Sequence, residues 1–158
     1  MTKIKPLTTQ YVFREPPQNF NPKIEVAACF IFVENKVLFL KRVPHVHEGN
    51  VWGIPGGKCE KNEEAAKAVV REIFEETQIE LSGASLKTFG KVYIRYPEID
   101  FIYHMFESSF RTFPKAVLNP EEHTEHNWLS LHEALELPLI RGEDECIHLY
   151  YKLVCEEG

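Results

Sequence analysis

Glu72, Glu75 and Glu76 place three carboxylates close together, a short way downstream of a Gly56-Gly57 pair. On a helix their i, i+3 and i+4 spacing puts them on one face, where like charges repel by a few tenths of a kcal/mol per pair, or about that. A hard divalent cation such as Mg²⁺ turns that repulsion into a binding site, because it takes oxygen ligands and shares its shell with water and phosphate oxygens. The competing reading is a solvated acidic helix face, the ordinary meaning of a charge cluster. The glycine turn and the Arg71-Glu72 doublet favour the site, since an acidic surface has no need of either.

These acids have to be held by a helix. From Ala65 to Thr77 neither Gly nor Pro interrupts the chain. Asn62 is the expected N-cap, with Glu63 and Glu64 in the first turn at the positive end of the dipole. Ala66, Val69, Val70, Ile73 and Phe74 recur at three- and four-residue spacing and form the expected core-facing stripe. Ala65 and Ala68 lie on the acidic face, where small side chains let the glycine turn come close.

Gly57, then Glu63, then Arg71-Glu72-Ile73-Phe74-Glu75-Glu76 resembles the signature of the Nudix hydrolases, the MutT-like family. The resemblance runs from Gly57 to Ile79. It departs at one place: Gln78 stands where the family has a glycine. A glycine at a helix end often takes a left-handed conformation, so Gln there costs on the order of 1 kcal/mol or the helix ends another way. That affects the loop path and local stability more than the acids.

The resemblance implies an α/β fold, a Nudix-type α/β/α sandwich with a mixed central sheet. It also implies Mg²⁺- or Mn²⁺-dependent hydrolysis of a nucleoside diphosphate linked to a further group X. Carried over by position, Glu72, Glu75 and Glu76 form the metal face, with the Gly56 carbonyl as a backbone ligand. Glu72 is either a metal ligand or the general base, since family members differ on which acid takes that role. Glu63 fixes the loop, and Arg71 orients a neighbouring carboxylate. Lys58 and Gly57, beside the glycine turn, and Arg42, at the end of a strand, are candidates for binding substrate. A loop acid before a late strand often adds a ligand or a base, and Glu122 and Glu125 rank first for it, ahead of Glu121.

The chain has 158 residues, 44% hydrophobic and 27% charged, which suits one soluble globular domain. Residues 1–23, rich in Pro and Thr, read as a partly ordered arm, and 24–158 as a single domain. A net charge of −6 argues against a long nucleic-acid partner. It leaves small phosphorylated substrates open, because bound cations reverse the local sign. The four cysteines make no CxxC pair, a pattern suited to a reducing cytoplasm. No run is long and apolar enough for a membrane span. The oligomeric state stays open, a homodimer included.

Two apolar β runs, Ile24 to Val33 and Val37 to Val43, read as a hairpin around Glu34-Asn35-Lys36. His45, His47 and Glu48 fall in the loop that follows, and Trp52 anchors the approach to the glycine turn. After a turn at Gly83-Ala84-Ser85, Leu86 to Tyr96 and Phe101 to Phe110 form a second hairpin. Its residues Tyr93, Tyr96, Tyr103 and Phe106 pack or face a base, and the sequence leaves open which. His126 to Leu129 reads as a short strand, Ser130 with Glu133 as a capping box, and Glu143 to Cys155 as a closing helix with a stripe of Ile147, Tyr150, Tyr151 and Val154. This order by itself suggests a mixed sheet between helices.

Among activities, a small nucleotide such as a nucleoside triphosphate is the expected substrate, with a nucleotide sugar of the ADP-ribose type as the alternative. A non-catalytic nucleotide sensor is the rival class. Such proteins usually lose box carboxylates, whereas Glu72, Glu75 and Glu76 are all present here.

Overall fold

A computed structural model describes residues 10–82 and 85–157. The expected turn at Gly83-Ala84 and the side chain of Val154 lie outside the described residues. Eleven elements follow in chain order: β1 (Val12–Phe13), β2 (Pro22–Val33), β3 (Lys36–Arg42), β4 (Trp52–Gly53), β5 (Gly56–Lys58), α1 (Ala65–Thr77), β6 (Lys87–Arg95), β7 (Asp100–Phe110), β8 (His123–Leu129), α2 (Leu131–Ala134) and α3 (Glu143–Glu157).

The strands form one mixed sheet in the order β1-β6-β7-β2-β3-β4, with β5 added on β2 and β8 on β3. β2 and β7 run parallel along almost their whole length, and the remaining strand pairs are antiparallel. The alternation of side chains explains the apolar run of β2. Ala28 and Phe30 face one core with Ile147, Cys146 and Ala134 from the C-terminal helices. Ala27, Cys29 and Ile31 face the other with Ala68, Val69 and Ile73 of α1. Val37 and Phe39 against Leu38 and Leu40 repeat the division on β3. The sheet thus has α1 on one face and α2 and α3 on the other, the α/β/α sandwich.

The expected first hairpin forms, with Glu34 in a left-handed turn, but β2 and β3 pair only at Phe32↔Val37 and Val33↔Lys36. Beyond that point they part. β5 takes the vacated edge of β2 at Val26 to Ala28, and β4 and β8 take β3. The glycine turn is wedged into this fork. Trp52 fixes its approach: its N–H donates to the Pro138 carbonyl at 2.8 Å and its own carbonyl accepts from Ile140 N–H at 2.9 Å.

Helix α1 differs from the sequence expectation in two respects. Asn62 is not the N-cap. It sits two residues before the cap with φ 64°, and Glu64 occupies the cap without a side-chain hydrogen bond. Glu63 is not free for the first turn, because its carboxylate accepts from Glu60 N–H and from Arg71. The buried face is also rotated. Ala68, Val69, Ile73, Glu76 and Thr77 are buried, whereas Ala66 and Phe74 are exposed. The rotation brings Glu76 inward onto the glycine turn, where it accepts from Gly56 N–H, and leaves Phe74 outside.

Strand β8 begins at His123, earlier than expected, because Arg42 and Lys41 of β3 supply pairing partners for His123 and Glu125. The Ser130–Glu133 capping box forms in both directions. Near the other terminus, β1 pairs with β6, and Glu145 at the start of α3 accepts from the N–H groups of Tyr11 and Val12 at 2.6 and 2.9 Å.

Candidate active site

Helix α1 offers its acids to the fork from below, and each is held differently. Glu76 is 7% exposed, and its Oε1 accepts from Gly56 N–H at 2.8 Å. Burial pushes its carboxyl well above the usual range; Glu122 and Glu72 push the same way, against the Gly56 hydrogen bond and Arg42. Glu72 lies directly on Gly57: a Cβ built on that glycine would stand 2.3 Å from the Glu72 Oε2. Burial raises the Glu72 carboxyl too, and Arg71 opposes the shift. Glu75 points further out, its side chain 56% exposed, and meets Arg71 at 3.3 Å.

Arg71 is the clamp. Its Nε and Nη2 hold both oxygens of Glu63 at 2.9 and 2.8 Å, its Nη1 donates to Glu72 at 2.9 Å, and its Nη2 reaches the Lys58 carbonyl at 3.1 Å. The planar guanidinium suits this many simultaneous acceptors. The Arg71 hydrogen bonds hold the Glu63 carboxyl down at about 2. One side chain therefore ties the box loop, the glycine turn and the helix together.

A cleft of about 770 Å³ opens over these groups. It is lined by Arg42, Gly56, Gly57, Lys58, Glu72 and Glu76, with Glu122 and His123 where the chain enters β8. The carboxylates of Glu76 and Glu122 and the His123 imidazole bring one ligand atom each within 4.8 Å of one another. Its lining also includes the apolar Ile24, Val26, Ile94 and Phe101, with Tyr103 and Glu143.

Of the residues expected from sequence, Glu72, Glu76, Gly56, Gly57, Lys58, Arg42 and Glu122 line this cleft. Glu63, Arg71 and Glu75 stand behind or beside it as a linked group. Glu125 is not among the lining residues, and its carboxylate pairs with Lys41 at 3.3 Å. Arg42 donates from Nη2 to the His47 carbonyl at 3.0 Å, while its Nε is buried without a partner.

Three residues escaped the sequence reading. His123 lies beside Glu76, and burial together with Arg42 brings its imidazole down to about 4. Glu143, at the head of α3, is buried, accepts from Ile54 N–H at 2.8 Å and is pushed up to about 7 by that burial. Arg141 joins the rims of the cleft, bonded to Glu48 and Glu98 and stacked 3.9 Å from the centroid of Tyr96. An acid opening an amphipathic helix gives no hint that it turns inward; only the bridge between Trp52 and Leu139 brings that helix start to the cleft.

The donors fit a hard divalent ion. Burial lifts both carboxyls, with Glu122 and Glu72 adding to it at Glu76 and Glu75 and Glu122 at Glu72, a cost that a cation at this spot would remove.

The family description of the NUDIX domain matches residues 22–150. The CTP pyrophosphohydrolase of Escherichia coli (strain K12) is 32% identical over 133 residues, covering 82% of this chain and 93% of that protein. The 8-oxo-dGTP diphosphatase of the same organism is 36% identical over 77 residues, 48% of this chain and 58% of that one. Among solved structures, the MutT protein from Methanosarcina mazei Go1 superposes with a TM-score of 0.71 at 25% identity, covering 83% of this chain and 94% of that chain.

Proposed function

This chain belongs to the NUDIX family of pyrophosphohydrolases, and from that premise we propose that it cleaves the phosphoric anhydride linkage of a small nucleotide, a nucleoside triphosphate first, with Mg²⁺ or Mn²⁺. The observation that carries the reading is that Glu72 and Glu76 line one cleft together with the apolar Ile24, Val26, Ile94 and Phe101, against which a base could pack. The relatives named for action on CTP and 8-oxo-dGTP support a nucleoside triphosphate over a nucleotide sugar. We place the chain in the cytoplasm as part of this reading, with Cys29, Cys59 and Cys146 as free thiols. Residues 24–158 are taken as the working domain.

In this reading water attacks one phosphorus of the bridge and a phosphate-bearing group leaves. Such transfer depends on positioning and charge neutralisation more than on covalent help. Glu72, Glu76 and Glu122 would hold a divalent cation, which would lower the pKa of bound water and screen phosphoryl charge. Gly56 N–H fixes one oxygen of Glu76, so the other is left to face the cleft. Arg71 fixes Glu72, which either binds the ion or takes the proton from the attacking water. Arg42 and Lys58 line the cleft and bring positive charge to the phosphates.

A panel of nucleoside triphosphates, oxidised nucleotides and nucleotide sugars, each with Mg²⁺ and with Mn²⁺, tests the proposal through released phosphate or pyrophosphate. Glu76→Gln should abolish turnover while the circular dichroism spectrum stays native. Glu72→Gln should lower kcat about 10²–10⁴-fold. Tight binding of a nucleotide without turnover in the unaltered protein would make the chain a sensor. Preferential cleavage of ADP-ribose would move the substrate to the nucleotide sugars.

A further inference from the structure

His123 sits opposite Arg42 in the β3–β8 ladder and is 8% exposed. Its Nδ1 is buried with no hydrogen-bond partner. Its Nε2 stands 3.9 Å from the Glu76 Oε2, too far for a hydrogen bond. An imidazole buried with one nitrogen unpaired and the other merely near a carboxylate costs about 1–3 kcal/mol, and an apolar side chain in the same place would avoid it. Purely structural packing therefore gives no reason for this residue type. What is distinctive is its company: His123, Glu76 and Glu122 bring three ligand atoms within 4.8 Å of one another, a spread that one ion can span.

We propose that His123 is a nitrogen ligand of the divalent-cation site that it shares with Glu76 and Glu122, and that it biases this site towards transition-metal ions over Mg²⁺. The inference rests on the reading of the cleft as a cation-assisted anhydride hydrolase, and adds to it a ligand and a metal preference. Carboxylate and water oxygens suit Mg²⁺ and Mn²⁺, whereas an imidazole suits later ions such as Fe²⁺, Ni²⁺ and Zn²⁺. The strand register that places His123 beside Arg42 also holds the ring next to Glu76, so little has to move to bring it to an ion. A rival role is that of a positioning residue, in which His123 turns one nitrogen to hydrogen-bond Glu76 and never touches the ion.

Pulsed electron paramagnetic resonance on the metal-stripped full chain, reloaded with Mn²⁺, separates the two. The unaltered protein should show the ¹⁴N coupling of a directly bound imidazole, and His123→Gln should lack it. Calorimetry should show Zn²⁺ affinity falling in the variant by more than the about 10- to 100-fold that loss of a supporting residue costs, with Mg²⁺ affinity falling less. Bound Mn²⁺ without ¹⁴N coupling in the unaltered chain would overturn the proposal and leave the positioning role. Coupling that persists in the variant would overturn it in favour of another histidine. If His123→Gln does not fold, His123→Asn takes its place, and the spectrum of the unaltered chain still decides whether nitrogen is bound. Failure of the unaltered chain to take up Mn²⁺ at all would overturn the hydrolase reading too. Turnover with Mn²⁺ bound but uncoupled would overturn this inference alone.

Discussion

Adjacent glycines of the box loop should respond to the same substitution in opposite ways. A methyl on Gly57 would stand 2.3 Å from Oε2 and 2.4 Å from Cδ of Glu72, where ordinary contact begins at 3.4 Å. The carboxylate must therefore retreat by about 1 Å, a shift that commonly costs about 10²-fold in rate when it falls on a reacting group. Gly57 does not need a left-handed φ, so alanine suits its backbone, and the group in the way is a side chain that can swing aside by loosening its bond to Arg71. Gly57→Ala should accordingly keep its Tm within about 2 °C of the parent while kcat falls about 10²-fold. A methyl on Gly56 would instead meet the backbone of β2, at 2.4 Å from the Ala27 carbonyl oxygen and 2.6 Å from the Ala28 Cα. Neither can rotate away. Gly56→Ala should cost about 1–3 kcal/mol, which for a chain of this size lowers Tm by about 2–12 °C. Thermal melts and nucleotide turnover on the two variants make the comparison. Unchanged kcat in Gly57→Ala would refute the assignment of Glu72 to the reaction. Equal loss of Tm in both variants would refute the packing argument.

Gln78 adopts φ 60° at the end of α1, with its N–H on the Phe74 carbonyl at 2.8 Å, so Gln78→Gly should gain about 1 kcal/mol and raise Tm by about 2–4 °C; a lower Tm would refute this. Arg71→Lys keeps the charge but cannot hold Glu63, Glu72 and the Lys58 carbonyl at once, so kcat should fall about 10²-fold, and a parental kcat would count against the clamp. The Glu143 carboxyl titrates at about 7 in the fold against 4.5 ordinarily, so the native state binds the extra proton between those values. Stability should therefore fall as pH rises through that window, by up to about 3 kcal/mol, and urea titrations at pH 5 and pH 7.5 should find the drop reduced in Glu143→Gln. An equal drop in the variant would show that other groups carry it.

The sequence made legible what depends on near neighbours. The register from Gly57 to Ile79 had Arg71 orient a neighbouring carboxylate and Glu63 fix the loop, and the guanidinium bonds Glu63 and Glu72. The left-handed end at Gln78 and the Ser130–Glu133 box are likewise local matters of backbone and side-chain reach. What stayed hidden depends on residues far apart in the chain. The five-residue apolar stripe of α1 was a sound pattern, yet the Gly56 amide draws Glu76 inward and leaves Ala66 and Phe74 outside. Asn62 is a good capping residue in the abstract, but Arg71 recruits its neighbour Glu63 and the turn tightens around that bond. His123 and Glu143 enter the cleft through the pairing of β8 with β3 and the bridge from Trp52 to Leu139, and no spacing along the chain announces either.

The long parallel seam between β2 and β7 also constrains how the molecule comes into being. Side-by-side strands drawn from residues 22–33 and 100–110 cannot zip from a turn; the intervening chain must first loop round, and contacts of such sequence separation form slowly. β5 joins the opposite edge of β2 over a much shorter loop, so the bond from the Gly56 amide to Glu76 need not wait for that seam. The slow step thus lies away from the cradle for an ion, and added metal should slow the protein's unravelling while leaving its rate of acquisition of structure almost untouched.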